Sequence, residues 1–318
     1  MHLIFCGTPQ FAVPTLERLV AANFTLDLVV TNPDEPSGRE HERKAPVVKT
    51  AAEQAGLPVF QPVRLKDAAT AELLSKFRPD AIVVVAYGHI IPPWMIGLPR
   101  LGCINLHASL LPKYRGAAPI PWALIRGERV TGVTTMKIDA GLDTGHILLQ
   151  QEVEIRGDDT TETLSDRLST IGAGLMIETL ERLERGEIEP RPQDHALSTL
   201  APRLKKEDGC IDWSWTADEI ARRVRGLQPW PVAYTAFRGK SLRIWSALPA
   251  PPEPPRLSGP SAPGSIVVQG DRLFVACGKE TLLEVRELQL EGRKRMPARD
   301  FLNGVRLAPG EKLGVFGR

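Results

Sequence analysis

Unbroken apolar runs separated by helical patterns fill the first half of the chain, and few architectures accept them. Residues 3–6 (Leu-Ile-Phe-Cys) and 81–86 (Ala-Ile-Val-Val-Val-Ala) contain no polar position. A strand made from either has to be covered on both faces. Residues 15–22, 47–55 and 68–77 read as helices, and residues 26–30 and 59–60 as strands between them. Strands of this kind alternating with helices specify an α/β fold, a Rossmann-like, mostly parallel sheet with helices on both faces. Residues 131–138 and 147–155 extend the sheet. A long helix is predicted over 160–185, with Leu164, Leu168, Ile171, Leu175 and Leu183 at helical spacing. Asp159 is its expected cap, Glu162 completes a capping box, and Gly186 stops it.

A chain of 318 residues is long enough for two cores. The boundaries expected are a first domain over 1–189, a linker over 190–203 where periodicity is lost among Pro190, Pro192 and Pro202, and a second domain over 204–318. Thr216 and Glu219 form a second capping box ahead of a short helix. Short strands at 233–237, 242–245, 266–268, 273–276 and 282–290, separated by glycine turns, suggest a small OB-like β-barrel. The proline-rich residues 249–263 read as a surface loop. From Arg203 onward there are 20 Lys and Arg against 13 Asp and Glu, leaving 20 against 25 before it. A basic second half points to an anionic partner, although solvated surface charge produces similar imbalances.

Several classes are disfavoured. Cys6, Cys103, Cys210 and Cys277 are scattered without a CxxC pair, which argues against a disulfide framework or thiolate metal site and for a reducing, cytoplasmic setting. The six histidines show no HExxH or HxxxH spacing, so no metal is expected. No signal peptide or membrane span is evident. Gly7-Thr8-Pro9 ends the first strand where a dinucleotide-binding protein would carry GxGxxG, and that fingerprint is missing. Read from residues alone, those three form a tight turn more readily than a substrate contact.

Asn105 and His107 stand two apart in a short strand, so alternation puts both on one face. Asp143 follows in a loop bracketed by Gly141 and Gly145. An amide and an imidazolium are both donors, suited to brace the oxyanion that forms when a nucleophile attacks a carbonyl. Asp143 could orient the ring. A polar group satisfied at a strand end is the plainer account of each residue taken singly.

The run from Asn105 through His107 and Ser109-Leu110-Leu111-Pro112 to Gly116, followed by Asp139-Ala140-Gly141-Leu142-Asp143-Thr144-Gly145, resembles the signature of the folate-dependent formyltransferases. The resemblance implies that Asn105, His107 and Asp143 are catalytic. It also implies that Ser109, Leu110, Leu111, Pro112, Ala86, Tyr87, Gly88, Asp139 and Gly141 line a pocket for the donor, 10-formyltetrahydrofolate. A flat pterin asks for apolar walls and open backbone groups, which loops of this kind offer.

Residues 7–12 are similar to the opening of those formyltransferases that act on methionyl-tRNA. So are Lys205-Lys206-Glu207-Asp208-Gly209, Ile211-Asp212-Trp213, Gln228-Pro229-Trp230-Pro231 and residues 289–296 and 300–304, so that the resemblance spans the chain. It implies initiator methionyl-tRNA as acceptor, the barrel as a tRNA-binding domain, and a cytoplasmic monomer with no membrane partner. Arg39, Lys206, Arg293, Lys294 and Arg295 are the implied RNA contacts. The 33–49 loop departs from the resembled pattern, with Glu40-His41-Glu42 where a glycine and lysines are usual. By itself that loop reads as a solvated insertion, and the Arg293-Lys294-Arg295 run as ordinary surface. Other folate formyltransferases, acting on a glycinamide ribonucleotide or an amino sugar, and a hydrolase of the same cofactor share part of the pattern. A non-catalytic RNA-binding protein would not need all three of Asn105, His107 and Asp143.

Overall fold

The computed structural model describes residues 1–37, 42–251, 262–308 and 310–314. Two compact units result, one made of Met1–Pro119, Val130–Glu154 and Ser165–Pro202, the other of Ile120–Arg129, Ile155–Leu164 and Arg203–Arg318.

Unit 1 begins with β1 (His2–Gly7), α1 (Val13–Ala21), β2 (Thr25–Val30), the short pair β3 (Glu35–Ser37) and β4 (Glu42–Lys44), α2 (Val47–Gln54), β5 (Val59–Phe60), α3 (Ala68–Ser75) and β6 (Ala81–Val85). It continues through α4 (Pro93–Ile96), β7 (Cys103–His107), α5 (Pro119–Arg126), β8 (Val130–Lys137), β9 (Ile147–Glu154) and α6 (Thr161–Glu184), with most of α5 and the first turn of α6 grouped in unit 2. The sheet order is β5-β2-β1-β6-β7-β8-β9. The first five strands are parallel, while β8 and β9 run antiparallel at one edge. The chain steps outward from β1 to β2 and β5, then returns to lay β6 beside β1. Loops at such a reversal diverge and leave a crevice at the carboxyl ends of the strands.

Both faces are covered, as the apolar runs require. Ile4, Cys6, Val30, Ile82, Val84 and Cys103 share a buried cluster with Leu74 of α3 and Met95 of α4. Burial pushes the Cys103 thiol up to about 12 and holds the Cys6 thiol well above its ordinary value, so both are packing residues. On the opposite face, Leu106 packs so closely on Gly172 of α6 that a Cβ there would come within 2.7 Å. Thr135 of β8 and Thr179 of α6 share a buried hydroxyl contact of 2.8 Å. The base of the 33–49 loop is tied down by Asp34, which accepts from Lys49 Nζ at 2.9 Å and Gln61 Nε2 at 2.7 Å.

The start of α6 differs from expectation. Thr160 and Thr163 cap each other, Thr163 N donating to Thr160 Oγ1 at 3.3 Å and Thr160 N to Thr163 Oγ1 at 3.0 Å. Asp159 instead accepts from Arg156 N and from Thr163 Oγ1. A carboxylate one residue early is better used on the preceding turn, and hydroxyls at the cap and third positions form the same reciprocal pair as a capping box.

Unit 2 carries the expected box: Thr216 N donates to Glu219 Oε2 at 2.8 Å and Glu219 N to Thr216 Oγ1 at 3.3 Å, opening α7 (Ala217–Gly226). Then come β10 (Ala233–Phe237), β11 (Lys240–Pro249), β12 (Ile266–Gln269), β13 (Arg272–Ala276), β14 (Leu282–Leu290), β15 (Met296–Pro297) and α8 (Ala298–Gly304). All pairings are antiparallel, in the order β10-β11-β14-β13-β12, with β15 on β14. Residues 311–314 bridge the two edges, Gly314 to Ala236 of β10 and Lys312 to Ser265 just before β12, which closes the sheet into a small barrel. Thr235 is the internal fastener, accepting from Trp213 Nε1 at 3.0 Å and donating to Gly314 O at 2.6 Å. Most of residues 249–263, including the prolines from Pro252 to Pro260, lie outside the described residues.

Candidate active site

His107 closes β7, with Asn105 two residues before it on the same face, and their parallel neighbours end beside them: Gly7 of β1 pairs with Val85 of β6, and Val85 with Leu106. His107 is buried, and its Nε2 lies 2.9 Å from the carbonyl of Tyr114. A carbonyl only accepts, so Nε2 carries the proton. Nδ1 faces Asp143 Oδ2 at 3.7 Å, an ion pair whenever the ring is doubly protonated but beyond hydrogen-bond reach. The Asp143 oxygen is held instead by the Gly116 N–H at 2.8 Å. Asn105 is half-buried and its side chain makes no hydrogen bond among the described residues, leaving both amide donors available.

The route by which Asp143 reaches His107 is not the one strand-end reasoning suggests. Because β8 runs against β7, with Thr134 opposite His107 and Lys137 opposite Ile104, the 138–146 loop departs beside the start of β7. That is three residues, or about 10 Å, from His107. The loop therefore folds back along the strand, and a set of close contacts holds it there. Gly145 permits one of them, since a Cβ at that position would lie 1.7 Å from Lys137 O. Asp139 Oδ1 accepts from Gly141 N at 3.0 Å and Thr144 Oγ1 at 2.7 Å, which shapes the turn ahead of Asp143. Asp143 itself has φ 51°, Tyr114 φ 61° and Ala86 φ 46°. Left-handed backbone at non-glycine residues costs of order 1 kcal/mol or more each and persists where surroundings over-determine it.

Two side chains that sequence reasoning missed supply much of that determination. Gln193 is 6% exposed and its Nε2 donates to Asp143 O at 2.9 Å and Gly145 O at 2.7 Å. Its Oε1 accepts from Arg115 Nε at 3.1 Å and from the same guanidinium's terminal nitrogen at 2.6 Å. Arg115 also donates to His195 Nδ1 at 3.1 Å. Residues 190–203, expected as a linker, thus include a segment laid against unit 1's own interior, with Arg115 N bonded to Thr199 O and Ala201 N to Arg115 O. Nothing in a non-periodic, proline-marked stretch signals a buried amide.

The remaining expected residues distribute as follows. Ser109 donates to Lys113 O at 2.7 Å while its carbonyl accepts from Thr134 Oγ1 at 2.6 Å. Leu110 lies over Gly132, and Leu111 is buried with Met136 and Ile147. Gln150 Nε2 donates to Leu111 O at 2.9 Å, fixing the approach to Pro112. Ala86 and Gly88 are exposed, but the Tyr87 ring is in the core and burial pushes its hydroxyl well above the usual range. Tyr87 can therefore offer a ligand only backbone, and Thr8 Oγ1 steadies that backbone by donating to Tyr87 O at 3.3 Å. Leu142 and Ile90, on loops next to these residues, expose 62% and 84% of their surface, apolar area of the sort a flat heterocycle covers.

Arg39 falls outside the described residues. Lys206, Arg293, Lys294 and Arg295 are all exposed in unit 2. Arg295 is already engaged, paired with Glu287 and placed over the Trp245 ring at 5.0 Å from its centre. No cluster of three or more His, Cys, Asp or Glu suited to a metal occurs among the described residues, and none of the described helices is long and apolar enough to cross a membrane.

Comparison with known proteins supplies the context for this geometry. The family described as formyl transferase matches residues 1–180, and the formyl transferase C-terminal domain matches residues 203–306. The methionyl-tRNA formyltransferase of Koribacter versatilis is 55% identical over 99% of this chain and 99% of its own length. That of Acidobacterium capsulatum is 55% identical over 99% of this chain and 100% of its own. Among solved structures, an N-formyltransferase from Helicobacter canadensis complexed with folinic acid and dTDP-3-aminofucose superposes with a TM-score of 0.66 at 18% identity, covering 89% of this chain and 98% of that one.

Proposed function

The chain belongs to the formyl transferase family, and from that premise we propose that it transfers a formyl group from 10-formyltetrahydrofolate to the α-amino group of methionyl initiator tRNA, as a cytoplasmic monomer. The observation that carries this reading is the setting of His107, buried between the Tyr114 carbonyl and Asp143 with the unpaired amide of Asn105 on the same face.

The acceptor amine attacks the formyl carbon, the bond from that carbon to N10 breaks, and one amine proton ends on the departing nitrogen. Negative charge gathers on the formyl oxygen during the attack. Asn105, with both amide hydrogens free, is a donor for that oxygen, and protonated Nδ1 of His107 is a second, since Nε2 is committed to Tyr114. Asp143 balances the charge on the ring and offers a carboxylate to the amine proton on its way to N10. Holding amine and formyl carbon together contributes as much as any single group. The exposed Ala86 and Gly88 backbone, Leu110, Asp139, Gly141 and Leu142 are the groups around the site suited to the pterin. Arg39, Lys206, Arg293, Lys294 and Arg295 would serve the RNA.

The domains that follow from this reading are a catalytic part over 1–189, a connection over 190–203 and a tRNA-binding barrel over 204–318. Formylation of charged initiator tRNA with the folate donor, measured for the intact protein and for His107→Ala, tests the proposal. Turnover by the intact protein and its collapse in the variant are expected. A protein that binds both substrates but never formylates the methionyl amine would overturn it.

A further inference from the structure

Asp143 reaches His107 on a loop that leaves β8 beside the far end of β7, so something has to hold the loop in its folded-back position. Its carboxylate has one anchor, the Gly116 N–H, and the loop's backbone has another in Gln193, which spans Asp143 O and Gly145 O with a single amide. The other end of that amide is gripped by Arg115, which lies between the two residues that touch the site: Tyr114, whose carbonyl holds His107 Nε2, and Gly116. Gln193 therefore ties the wall that fixes one ring nitrogen to the loop that faces the other.

We propose that Gln193 is a positioning residue for the formyl transfer, acting through Asp143 by clamping the 143–145 backbone to the 114–116 turn. The inference rests on the catalytic reading of Asp143 given above. Gln193 itself is too deeply buried to meet either substrate. Its guanidinium partner is equally buried and, among the described residues, has only the neutral groups Gln193 and His195 for side-chain partners. A cation taken from water without a carboxylate is a poor way to gain stability. What the arrangement does achieve is direction: with Oε1 claimed by Arg115, Nε2 is turned toward Asp143 O and Gly145 O, with the Met136 sulfur as its one other neighbour among the described residues.

The discriminating variant is Gln193→Glu. A carboxylate keeps, and strengthens, the contact with Arg115, but has no hydrogen to offer Asp143 O or Gly145 O. Displacing a reacting group by an ångström costs up to about a hundredfold in rate. The expected result is a kcat at least about tenfold lower, with KM for folate and for tRNA changed by less than about twofold. The deciding measurement is a double-mutant cycle with Asp143→Ala. A residue that works only through Asp143 has nothing left to lose in that background, so Asp143→Ala with Gln193→Glu should turn over within about twofold of Asp143→Ala alone. Equal fractional losses in both backgrounds, or a Gln193→Glu enzyme with normal kcat while Asp143→Ala is crippled, would overturn the proposal. An active Asp143→Ala enzyme would instead overturn the catalytic reading beneath it. Should Gln193→Glu fail to fold, Gln193→Met, of similar volume and without donors, runs the same cycle.

Discussion

Buried polar side chains concentrate around one place in unit 1, where His107, Ser109, Arg115, Thr134 and Gln193 are all nearly or wholly inaccessible and all hydrogen-bonded. Unit 2 conducts most of its polar business at the surface, pairing Arg238 with Glu311 and Arg295 with Glu287, while the buried Glu284 pairs with the more exposed Arg272. The difference has a physical reading. A polar network in a low-dielectric interior is costly unless complete, and when complete it fixes a geometry. Surface ion pairs fix little, are worth about 0–1 kcal/mol each, and leave charge displayed to solvent. Unit 1 is built to hold atoms in place and unit 2 to present a surface.

The sharpest way to break that contrast is at His107. If the buried network exists to place His107 and Asp143, then His107→Ala should lower formylation at least about a hundredfold, equivalent to roughly 2.7 kcal/mol of transition-state stabilisation. Asn105→Ala and Asp143→Asn should behave alike. Binding of tRNA should persist, because none of the proposed RNA contacts is among these residues. Steady-state kinetics beside a binding isotherm decide the matter, and near-normal turnover in a folded His107→Ala protein would leave the network without a purpose.

A buried hydroxyl in unit 2 sharpens the comparison further. Thr235 is fully buried and joins Trp213 Nε1 to Gly314 O, holding the segment that closes the barrel. Thr235→Val preserves the shape but strands the Trp213 Nε1 donor, while Gly314 O keeps the Ala236 N–H, at a cost of about 2 kcal/mol. Thermal denaturation should show a drop of several degrees in Tm, with kcat unchanged at temperatures where the variant is folded. A fall in kcat without a fall in Tm would mean that unit 2 also positions reacting groups.

The architecture of unit 1 was legible because both-face burial writes itself into composition: the 81–86 run admits little besides a central strand. Short strands with glycine turns served equally well for unit 2, down to the exact limits of β10 and β14. Asn105 and His107 could be placed on one face by alternation alone. Gln193 and Arg115 could not, since an isolated Gln in a proline-marked stretch looks the same whether it is buried or solvated. Nor could the folding back of the 138–146 loop, which depends on β8 being antiparallel to β7. Pairing direction is a tertiary property with no local signature.

A presenting surface should be sensitive to charge where a positioning interior is not. Arg293 and Lys294 are exposed, and neither forms an ion pair among the described residues, unlike Arg295, which Glu287 and Trp245 already occupy. Replacing both with Glu should lower tRNA affinity by about tenfold near 0.1 M salt and flatten the log–log salt dependence by roughly one to two, since each lost phosphate contact removes about 0.7–0.9 from the slope. Binding measured across salt concentrations reads this directly, and an unchanged slope would remove these residues from the RNA face.

The smallest expected effect concerns acid. Hydrogen bonds from Arg272 hold the Glu284 carboxyl below the usual range, those from Arg238 do the same for Glu311, and the Thr216 N–H does so for Glu219. In unit 1 Asp80 is a group of the same kind, lowered by the His2 N–H and by Arg100. A carboxylate whose folded pKa is depressed adds stability that is present above its unfolded value and is lost as pH falls through the folded one. The unit 2 contacts Arg272–Glu284, Arg238–Glu311 and Thr216–Glu219 should therefore weaken on acidification below about pH 4.3, the ordinary glutamate value. Glu284→Gln isolates one contribution. The gap in Tm between it and the parent should be about 2 °C at pH 7, since the Arg272 end of the pair is exposed to solvent, and should close as pH drops past the folded value of Glu284. A gap that stays constant into acid would mean that the Arg272 contact acts by shape and not by charge, and that this pair contributes as pH-independently as the buried hydrogen bonds of unit 1.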